Sequence, residues 1–318
     1  FFFTGSSWRA LAYRSRRPRN NHLERQTCCA RVGTMHSIEI VTAISVILAV
    51  AVIGWLCKIF AKSPRLKPGS YKAVTLIKKK VVSQNSDRPT LFLTFNTNVS
   101  AFPTGAHVSC KFVEEKKQVI RPYTPTRFSP SECELMVRVY PKGAMTQHMA
   151  RLEVGDTLLI KGPTGMKRYG RAGPGSLTKV LKNKDVDQHF KTILMFAGGT
   201  GITPMLQICN HIINDPKDHT RCILVVANST PEDVMLYDEI KKLPARSKGL
   251  IDVKFTVSRP NDDWKHLSGR VNEEMIESLC PPPSQDVVSA ICGPIGFDKA
   301  VSSALEGLGH DKSRIWRW

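Results

Sequence analysis

Four short stretches of the sequence combine residue types that suit a ligand made of a ring and phosphates. The first is Arg-Pro-Tyr-Thr-Pro at 121–125, where two prolines keep the backbone extended and out of a central strand ladder. Arg121 offers a planar fork that matches phosphate oxygens, Tyr123 a flat ring with a polar tip, and Thr124 one hydroxyl donor. The stretch therefore predicts a site for a ring joined to a diphosphate, although an edge strand between two prolines has the same pattern.

The second stretch, at 140–146, reads Tyr-Pro-Lys-Gly-Ala-Met-Thr. Gly143 is expected to turn the chain after a strand, and Thr146 to cap a helix that runs to Leu152. The amides at the start of a helix bind anions, so this stretch predicts a further contact for a diphosphate. Alone, it is equally compatible with a plain junction between a strand and a helix.

The other two stretches are glycine-rich turns that follow apolar runs. Gly-Gly-Thr-Gly-Ile-Thr-Pro at 198–204 comes after the run 191–197, and Cys-Gly-Pro at 292–294 closes the run 287–292. Neither turn has the Gly-x-Gly-x-x-Gly spacing or the lysine of a P-loop. Ligands of parallel sheets bind outside the carboxyl ends of the strands, which is where both turns fall. They predict a second half of the site, in which the backbone approaches the ligand closely.

The patterns around these stretches predict two kinds of sheet. Between 70 and 172, short alternating runs separated by Pro, Gly, Asn and Ser are typical of a small antiparallel barrel or sandwich. These runs cover 73–82, 91–95, 107–112, 134–140 and 157–161. From 190 onward, apolar strands joined by helices indicate a doubly wound parallel sheet. Its strands are expected at 191–197, 222–227, 253–257 and 287–292, and its helices at 205–213, 233–243, 272–279 and 297–308.

Charge and cysteine content limit the classes of function. The 318 residues carry 46 basic and 27 acidic side chains, a net charge of +19, which favours an acidic protein, a membrane surface or phosphate-bearing cofactors as partners. Nucleic acid is not expected, because no basic run is interleaved with aromatic residues. The nine cysteines include no Cys-x-x-Cys pair, so no metal site is assigned and a reducing compartment is favoured.

The N-terminal region predicts a membrane anchor. Residues 40–57 form a run of 18 residues without charge, long enough to cross a bilayer as a helix. A tryptophan near its end and the basic residues that follow indicate a cytosolic side there. We therefore expect a single-pass anchor at 35–61 and a linker at 62–70. Residues 1–34 carry seven arginines and precede the first methionine, and we expect an unstructured or targeting extension, or sequence upstream of the true start.

In combination, RPYTP, Gly-Ala-Met-Thr, GGTGITPM and CGP resemble the ferredoxin–NADP reductase superfamily, and within it the NADH–cytochrome b5 reductases. The resemblance covers about residues 72–318. It implies an antiparallel FAD-binding barrel at 71–172, an inter-domain linker at 173–190 and a Rossmann-like, parallel-sheet NAD-binding domain at 191–318.

The resemblance also implies which residues bind FAD. Arg121 holds the diphosphate, Tyr123 and Thr124 contact the flavin ring near its reactive nitrogen, and a hydroxyl from the second domain reaches the flavin. The implied FAD set is Arg121, Pro122, Tyr123, Thr124, Met136, Arg138, Ala144, Met145, Thr146 and Thr203.

For the nicotinamide cofactor, the implied set is Gly198, Gly199, Thr200, Gly201, Asp233, Cys292, Gly293 and Pro294. Asp233 follows the second parallel strand, where an acid favours ribose hydroxyls over a 2′-phosphate and so selects NADH. Cys292 positions the nicotinamide; its alternative interpretation is a small residue packed at a strand end. Thr124 and Cys292 are assigned the catalytic roles.

The implied function is a membrane-anchored flavoprotein that passes electrons from NADH through FAD to cytochrome b5 or a similar acidic haem protein. The expected location is the endoplasmic reticulum or the mitochondrial outer membrane, with the catalytic domains facing the cytosol. One alternative is a flavin reductase that serves another haem or redox partner. A second is a membrane-tethered binding module without a cofactor, against which the intact RPYTP and GGTGITP stretches argue. The chain departs from the family pattern at Arg138, usually lysine, and at 295–297.

Overall fold

The computed structural model describes residues 41–42, 44–50, 52, 64–83, 88–99, 101–115 and 117–318. Contacts divide the chain into one unit at Phe1–Lys62 and a second at Ser63–Trp318. In the first unit, every described residue is helical. Among the described residues, no helix is long and apolar enough to cross a membrane. Much of the predicted spanning run at 40–57, and all of 1–34, lies outside the described residues.

The second unit begins with a seven-stranded antiparallel sheet and one helix. The strands are β1 (Lys72–Ser83), β2 (Thr90–Asn96), β3 (His107–Glu114), β4 (Lys117–Tyr123), β5 (Arg127–Phe128), β6 (Glu132–Arg138) and β7 (Thr157–Thr164). The helix α1 (Ala144–Arg151) lies between β6 and β7 in the chain. Their spatial order is β4-β3-β7-β1-β2-β6-β5. The predicted antiparallel sheet is therefore confirmed, with β4 and β5 at its two edges.

Alternation of side chains explains why this sheet has one core. Val74 and Leu76 of β1, Leu135 of β6 and Ile160 of β7 are fully buried in a single hydrophobic cluster, and Met149 of α1 closes it. The intervening residues point to the other face, as the two-residue period of a strand requires. The first four residues of β1 pair with β7 and the rest pair with β2, so β1 joins the two halves of the sheet.

Three short strands form a small antiparallel sheet between the two large ones. They are β8 (Lys167–Tyr169), β9 (Ser176–Lys179) and β10 (Val186–His189), in the order β10-β9-β8. The stretch 173–190, expected to be a linker, thus contains β9 and β10. This stretch forms strands because Leu177 of β9 is buried in the core of the parallel-sheet region that follows. Four-residue strands are too short to show a periodicity.

The C-terminal part is the predicted parallel sheet. Its strands are β11 (Thr192–Gly198), β12 (Arg221–Asn228), β13 (Ile251–Val257), β14 (Leu267–Ser268), β15 (Val287–Cys292) and β16 (Ile315–Arg317). Its helices are α2 (Ile202–Asn214), α3 (Tyr237–Ile240), α4 (Leu243–Arg246), α5 (Glu273–Leu279) and α6 (Ile295–Gly307). The order is β14-β13-β12-β11-β15-β16, with all pairs parallel. The chain reverses its direction of travel across the sheet between β11 and β15, which is the switch point where ligands bind.

The predicted helix at 233–243 is wrong. The chain instead forms a 3-10 turn at Pro231–Asp233 and the two short helices α3 and α4. Leu236 has a positive φ of 59°, which interrupts the expected helix, and Pro244, one residue beyond its expected end, lies in the first turn of α4.

The antiparallel and parallel sheets pack directly against each other. Met136 of β6 is buried in the same hydrophobic cluster as the core of the parallel sheet. The Gly105 amide donates to the Gln207 side chain at 3.0 Å, and Thr104 Oγ1 lies 3.0 Å from His211 Nδ1. These contacts fix the edge of the antiparallel region against helix α2.

Candidate active site

A cavity of about 720 Å³ lies between the antiparallel and the parallel sheets. This volume is within the range typical of cofactor sites. Both sheets contribute to its wall, which includes every sequence-predicted site residue except Gly198, Gly199 and Asp233. The predicted residues that line it are Arg121, Pro122, Tyr123, Thr124, Met136, Arg138, Ala144, Met145, Thr146, Thr200, Gly201, Thr203, Cys292, Gly293 and Pro294.

One wall of the cavity is the edge strand β4. Its residues pair with β3, and Pro122 is tolerated there because an edge strand has a free side. Arg121 is exposed, and its Nη1 donates to the Ile120 carbonyl at 2.7 Å, which leaves the rest of the guanidinium for a ligand. Burial raises the pKa of Tyr123, so its phenol stays neutral and can donate a hydrogen bond.

A second wall is the start of α1. The Thr146 hydroxyl donates to the Gly143 carbonyl at 3.0 Å and accepts from the Tyr140 amide at 3.1 Å, which fixes the turn that precedes the helix. Ala144 and Met145, the first two residues of the helix, line the cavity. The amides of the first turn have no partner within the helix, so they can bind an anion.

The opposite wall is built from the two glycine-rich turns. A Cβ on Gly201 would collide with the Cys292 carbonyl, and a Cβ on Gly293 would lie 3.1 Å from the Gly198 Cα. The two turns therefore approach each other closely as backbones, and the Phe297 ring packs against Gly198 and Gly293 at this point. Gly198 packs behind Gly293, which lines the cavity, so Gly198 itself is not a lining residue.

Cys292 lies at the carboxyl end of β15, where the turn begins. Burial raises the pKa of its thiol to about 11, and the nearby Lys167 only partly opposes this. The group is therefore a neutral thiol at physiological pH, suited to positioning a ligand rather than to nucleophilic attack. Thr203, in the first turn of α2, donates to the Thr200 carbonyl at 3.2 Å and faces the same cavity.

The structure places Asp233 in a buried contact behind the cavity lining. Its side chain is only 1% exposed, and its carboxylate lies 3.3 Å from Arg138 Nη1 and 3.7 Å from Arg88 Nη2. The expected contact of Asp233 with a ribose stays a prediction. Arg138, expected to contact FAD, is the partner of this buried acid while it also lines the cavity.

Some lining residues were not assigned to the site from the sequence. They are His107, Tyr140, Lys142, Gly143, Pro204 and Trp318. Four of them lie within or beside the motifs already quoted, whereas His107 and Trp318 lie outside those motifs. Burial and the nearby Arg168 and Lys167 lower the pKa of His107, so its imidazole is neutral. Trp318, whose indole nitrogen lies 3.4 Å from the Gly105 carbonyl, reaches the cavity from the far end of the chain, and no sequence spacing signals this.

Comparison with known proteins agrees with this architecture. An oxidoreductase FAD-binding domain model matches residues 73–169, and an oxidoreductase NAD-binding domain model matches residues 195–303. NADH–cytochrome b5 reductase 1 of Arabidopsis thaliana is 34% identical over 248 residues, which are 77% of this chain and 83% of that protein. NADH-cytochrome b5 reductase 3 of Rattus norvegicus is 34% identical over 255 residues, 76% of this chain and 84% of that protein. The chain belongs to the NADH–cytochrome b5 reductase family.

A solved structure of the family has the same fold. The cytochrome b5 reductase domain of Ulva prolifera nitrate reductase superimposes with a TM-score of 0.72 at 31% identity, over 80% of this chain and all of that one. As a member of the NADH–cytochrome b5 reductase family, the chain is an NADH-dependent oxidoreductase with FAD as its flavin.

The residues of the cavity fit these two cofactors. Arg121 and the first amides of α1 provide cationic and dipolar contacts for a diphosphate. Residues of both glycine-rich turns line the same cavity at the carboxyl ends of the parallel strands, where a dinucleotide would bind.

Proposed function

We propose that this NADH-dependent flavoprotein passes its electrons to cytochrome b5 and that its N-terminal segment tethers it to a membrane. The observation that supports its flavin chemistry is one cavity lined by residues of the antiparallel sheet and of both glycine-rich turns. A flavin and a nicotinamide bound there would lie side by side, as hydride transfer requires.

Each wall has a defined role in this proposal. Arg121 and the start of α1 bind the FAD diphosphate, and Tyr123 and Thr124 orient the flavin ring. Thr203 reaches the flavin from the other domain, beside the nicotinamide pocket formed by Thr200, Gly201, Cys292, Gly293 and Pro294. FAD held by these residues would supply the chemistry that accepts a hydride from NADH and passes electrons on singly.

The surrounding residues orient the cofactors rather than move protons. Cys292 remains a thiol and His107 a neutral imidazole, because burial disfavours the charged form of each. Their contribution is to shape and desolvate the cavity, which favours transfer of a hydride without loss to water.

Two observations support an acidic haem protein as the acceptor. The relatives at 34% identity are named for cytochrome b5. The chain has a net charge of +19, and Lys142 at the cavity rim and Lys117 on the edge strand are exposed. Opposite charge across an interface steers association and raises its rate. Another haem or redox protein remains the alternative acceptor.

The tether is proposed from the sequence alone. Residues 40–57 are 18 residues without charge, and lysines follow at 58 and 62. A run of this length is sufficient for one bilayer crossing, and a basic flank favours the cytosolic side. This would place the catalytic unit on the cytosolic face of the endoplasmic reticulum or the mitochondrial outer membrane.

An acceptor assay tests the proposal. Purified protein with NADH is expected to reduce both ferricyanide, which needs no docking surface, and cytochrome b5. Ferricyanide reduction without cytochrome b5 reduction would contradict the proposed acceptor and favour another redox partner.

A further inference from the structure

One face of the antiparallel sheet is open to solvent and combines lysines with apolar side chains. It is the face of β1, β7, β3 and β4 that points away from the core in which Val74 and Ile160 are buried. Neighbouring side chains of a strand leave opposite faces, so the residues between the core positions form this second surface. We call it the outer face, and its members used below are Tyr71, Lys111, Val113, Ile120, Leu159 and Lys161.

The register of the strands gathers apolar side chains around a lysine on the outer face. Ile120 of β4 lies opposite Lys111 of β3, and Lys111 lies opposite Leu159 of β7. Val113, two residues further along β3, is 56% exposed, and Ile120 is 41% exposed. Exposed apolar side chains that are grouped on one face and bordered by charge are typical of a contact surface.

Two positive charges share one aromatic ring on this face. The Nζ of Lys111 lies 4.5 Å from the centre of the Tyr71 ring, and the Nζ of Lys161 lies 4.9 Å from it. Within the part of the chain that the structure describes, neither ammonium pairs with a carboxylate. Glu114, the next acid along β3, is 3.8 Å from Arg151. The ring thus brings two cations together without an acid, which favours an anionic partner.

The chain enters the catalytic unit beside the outer face. The Gly162 amide donates to the Lys67 carbonyl at 3.3 Å, so the entering segment runs next to β7. Lys67 is exposed and adds a third positive charge there. Six residues, 58–63, separate this segment from the uncharged run 40–57, and six extended residues span at most about 20 Å. With that run in a bilayer, as proposed above, the outer face is within reach of the membrane surface.

We propose that the outer face binds the surface of a membrane that contains anionic phospholipids. Lys111 and Lys161 contact the lipid phosphates, and Val113 and Ile120 enter the boundary between head groups and acyl chains. An acidic haem protein fits this face less well, because these four residues do not line the cavity assigned to the flavin. The inference rests on the proposed tether only in choosing lipid over another anion, and it does not depend on the acceptor.

Vesicle co-sedimentation tests the inference in a protein that lacks residues 1–61, so that the proposed tether takes no part. The solved reductase domain, whose whole length aligns with 80% of this chain, shows that this part folds by itself. The probes are vesicles of phosphatidylcholine alone and vesicles of phosphatidylcholine with phosphatidylserine. Binding is expected only to the second kind and is expected to decrease with added salt.

Paired lysine variants locate the charges that matter. Near an anionic surface each lysine contributes about fivefold to binding, so Lys111→Gln with Lys161→Gln should weaken vesicle binding about 25-fold. The matched control is Lys241→Gln with Lys242→Gln, which removes the same charge. Lys241 also lies over a tyrosine ring, 5.7 Å from the centre of Tyr237. The control should bind vesicles as the parent does, and both variants should keep NADH–ferricyanide activity, which shows that they are folded.

Amide hydrogen exchange locates the contact without relying on the lysines alone. The edge strand β4 pairs only with β3, so its other side is open. Anionic vesicles are expected to slow exchange in β3 and β4 but not in α2, and the Lys111→Gln, Lys161→Gln variant should lose this protection. Val113→Thr, which keeps the shape but adds a hydroxyl, should lose part of the vesicle binding without a change in its salt dependence.

Several results would overturn the inference. The first is no binding to vesicles with phosphatidylserine, or equal binding by the two paired lysine variants. Release by inorganic phosphate, where chloride of the same ionic strength has no effect, would show a discrete phosphate site instead of a lipid surface. Unchanged vesicle binding in Lys111→Gln with Lys161→Gln, together with slower reduction of cytochrome b5, would assign the face to an acidic protein.

Failure of the face and failure of the tether give different results. Full-length protein that leaves membranes only in detergent, while the truncated protein binds no vesicles, would support the tether and reject the face. Truncated protein that binds anionic vesicles, while the full-length protein is released from membranes by salt alone, would support the face and reject the tether.

Discussion

At the level of single residues, flavin retention is expected to depend most on Arg121. Replacing it with alanine removes a charge-assisted contact worth about 2 kcal/mol, which is roughly a thirtyfold weaker affinity for FAD. Arg121→Lys is expected to retain an intermediate amount, because lysine lacks the planar fork. The measurement is the FAD content per protein after gel filtration.

A matched control for this variant lies on the neighbouring strand. Lys111 pairs with Ile120 in the register of β3 and β4, so its side chain leaves the opposite face of the sheet from that of Arg121. Lys111→Ala is expected to keep its FAD. Equal FAD content in Arg121→Ala and Lys111→Ala would remove Arg121 from the site.

Cys292 is expected to act as a neutral thiol throughout the working pH range. Because burial raises its pKa to about 11, it does not ionise between about pH 6 and 9. The pH profile of kcat/KM for NADH should therefore be the same in the parent and in Cys292→Ser. An inflection of the kcat/KM profile in this range that disappears in Cys292→Ser would show that a thiolate takes part in the reaction.

The same raised pKa has a consequence for stability. An unfolded cysteine ionises near pH 8.5, whereas folded Cys292 keeps its proton to higher pH. Its contribution to stability is thus complete below about pH 8.5 and is lost as the pH rises toward about 11. Thermal melts across this range, compared with those of Cys292→Ser, should show a smaller loss in the variant.

The site residues that the sequence predicts well belong to contiguous stretches. Arg121, Thr146 and Gly201 are signalled by their immediate neighbours, since prolines, a helix start and a run of glycines are local features. The buried surroundings of Asp233 are not predicted, because they are set by Arg138, 95 residues earlier. A charged residue at the end of a strand has the same sequence pattern whether it is solvated or buried in an ion pair.

At the level of elements, the close approach of the two glycine-rich turns gives the clearest prediction. Gly201→Ala would drive a methyl group into the carbonyl of Cys292. Overpacking of this kind costs about 1–3 kcal/mol and displaces the nicotinamide wall. We expect slower flavin reduction by NADH, measured by stopped flow, while FAD stays bound to the other wall.

Gly296 provides the comparison for this element. It lies in α6, and a Cβ there would meet nothing within 4 Å. Gly296→Ala is therefore expected to keep the parental rate of flavin reduction. If Gly201→Ala also keeps that rate, the two turns do not form the nicotinamide wall.

The sequence predicts the larger elements and misses the small ones for physical reasons. The central parallel strands are continuous apolar runs, and they occur within a residue or so of the predicted bounds. Strands β8 to β10 are three or four residues long, so no period can show. The helix expected at 233–243 is broken at Leu236, where the left-handed backbone overrides the apolar spacing.

At the scale of the whole molecule, the catalytic unit begins at Ser63, and its contacts separate it from Phe1–Lys62. A variant lacking residues 1–61 is therefore expected to keep NADH–ferricyanide activity. Its reduction of soluble cytochrome b5 should persist but fall steeply with salt, since ions screen charges over about 10 Å at 0.1 M. Steady-state rates across a salt series measure both effects.

The membrane tether makes a separate contribution in this account. Reduction of a membrane-bound acceptor should drop in the truncated variant, because a shared surface no longer concentrates the two proteins. If soluble cytochrome b5 is reduced at a rate indifferent to salt, the basic surface is not its docking site. If the membrane-bound acceptor is reduced equally well after truncation, residues 40–57 do not act as a tether.

The most direct test of the central claim, that both sheets hold their cofactors in one shared cavity, is an anaerobic titration of the purified protein with NADH. We expect a yellow protein with the absorption spectrum of oxidised flavin, which NADH bleaches without any acceptor present. Arg121→Ala should lose the spectrum, and Gly201→Ala should keep it but bleach slowly. A colourless protein that takes up no added FAD, or a bound flavin that NADH leaves oxidised, would contradict it.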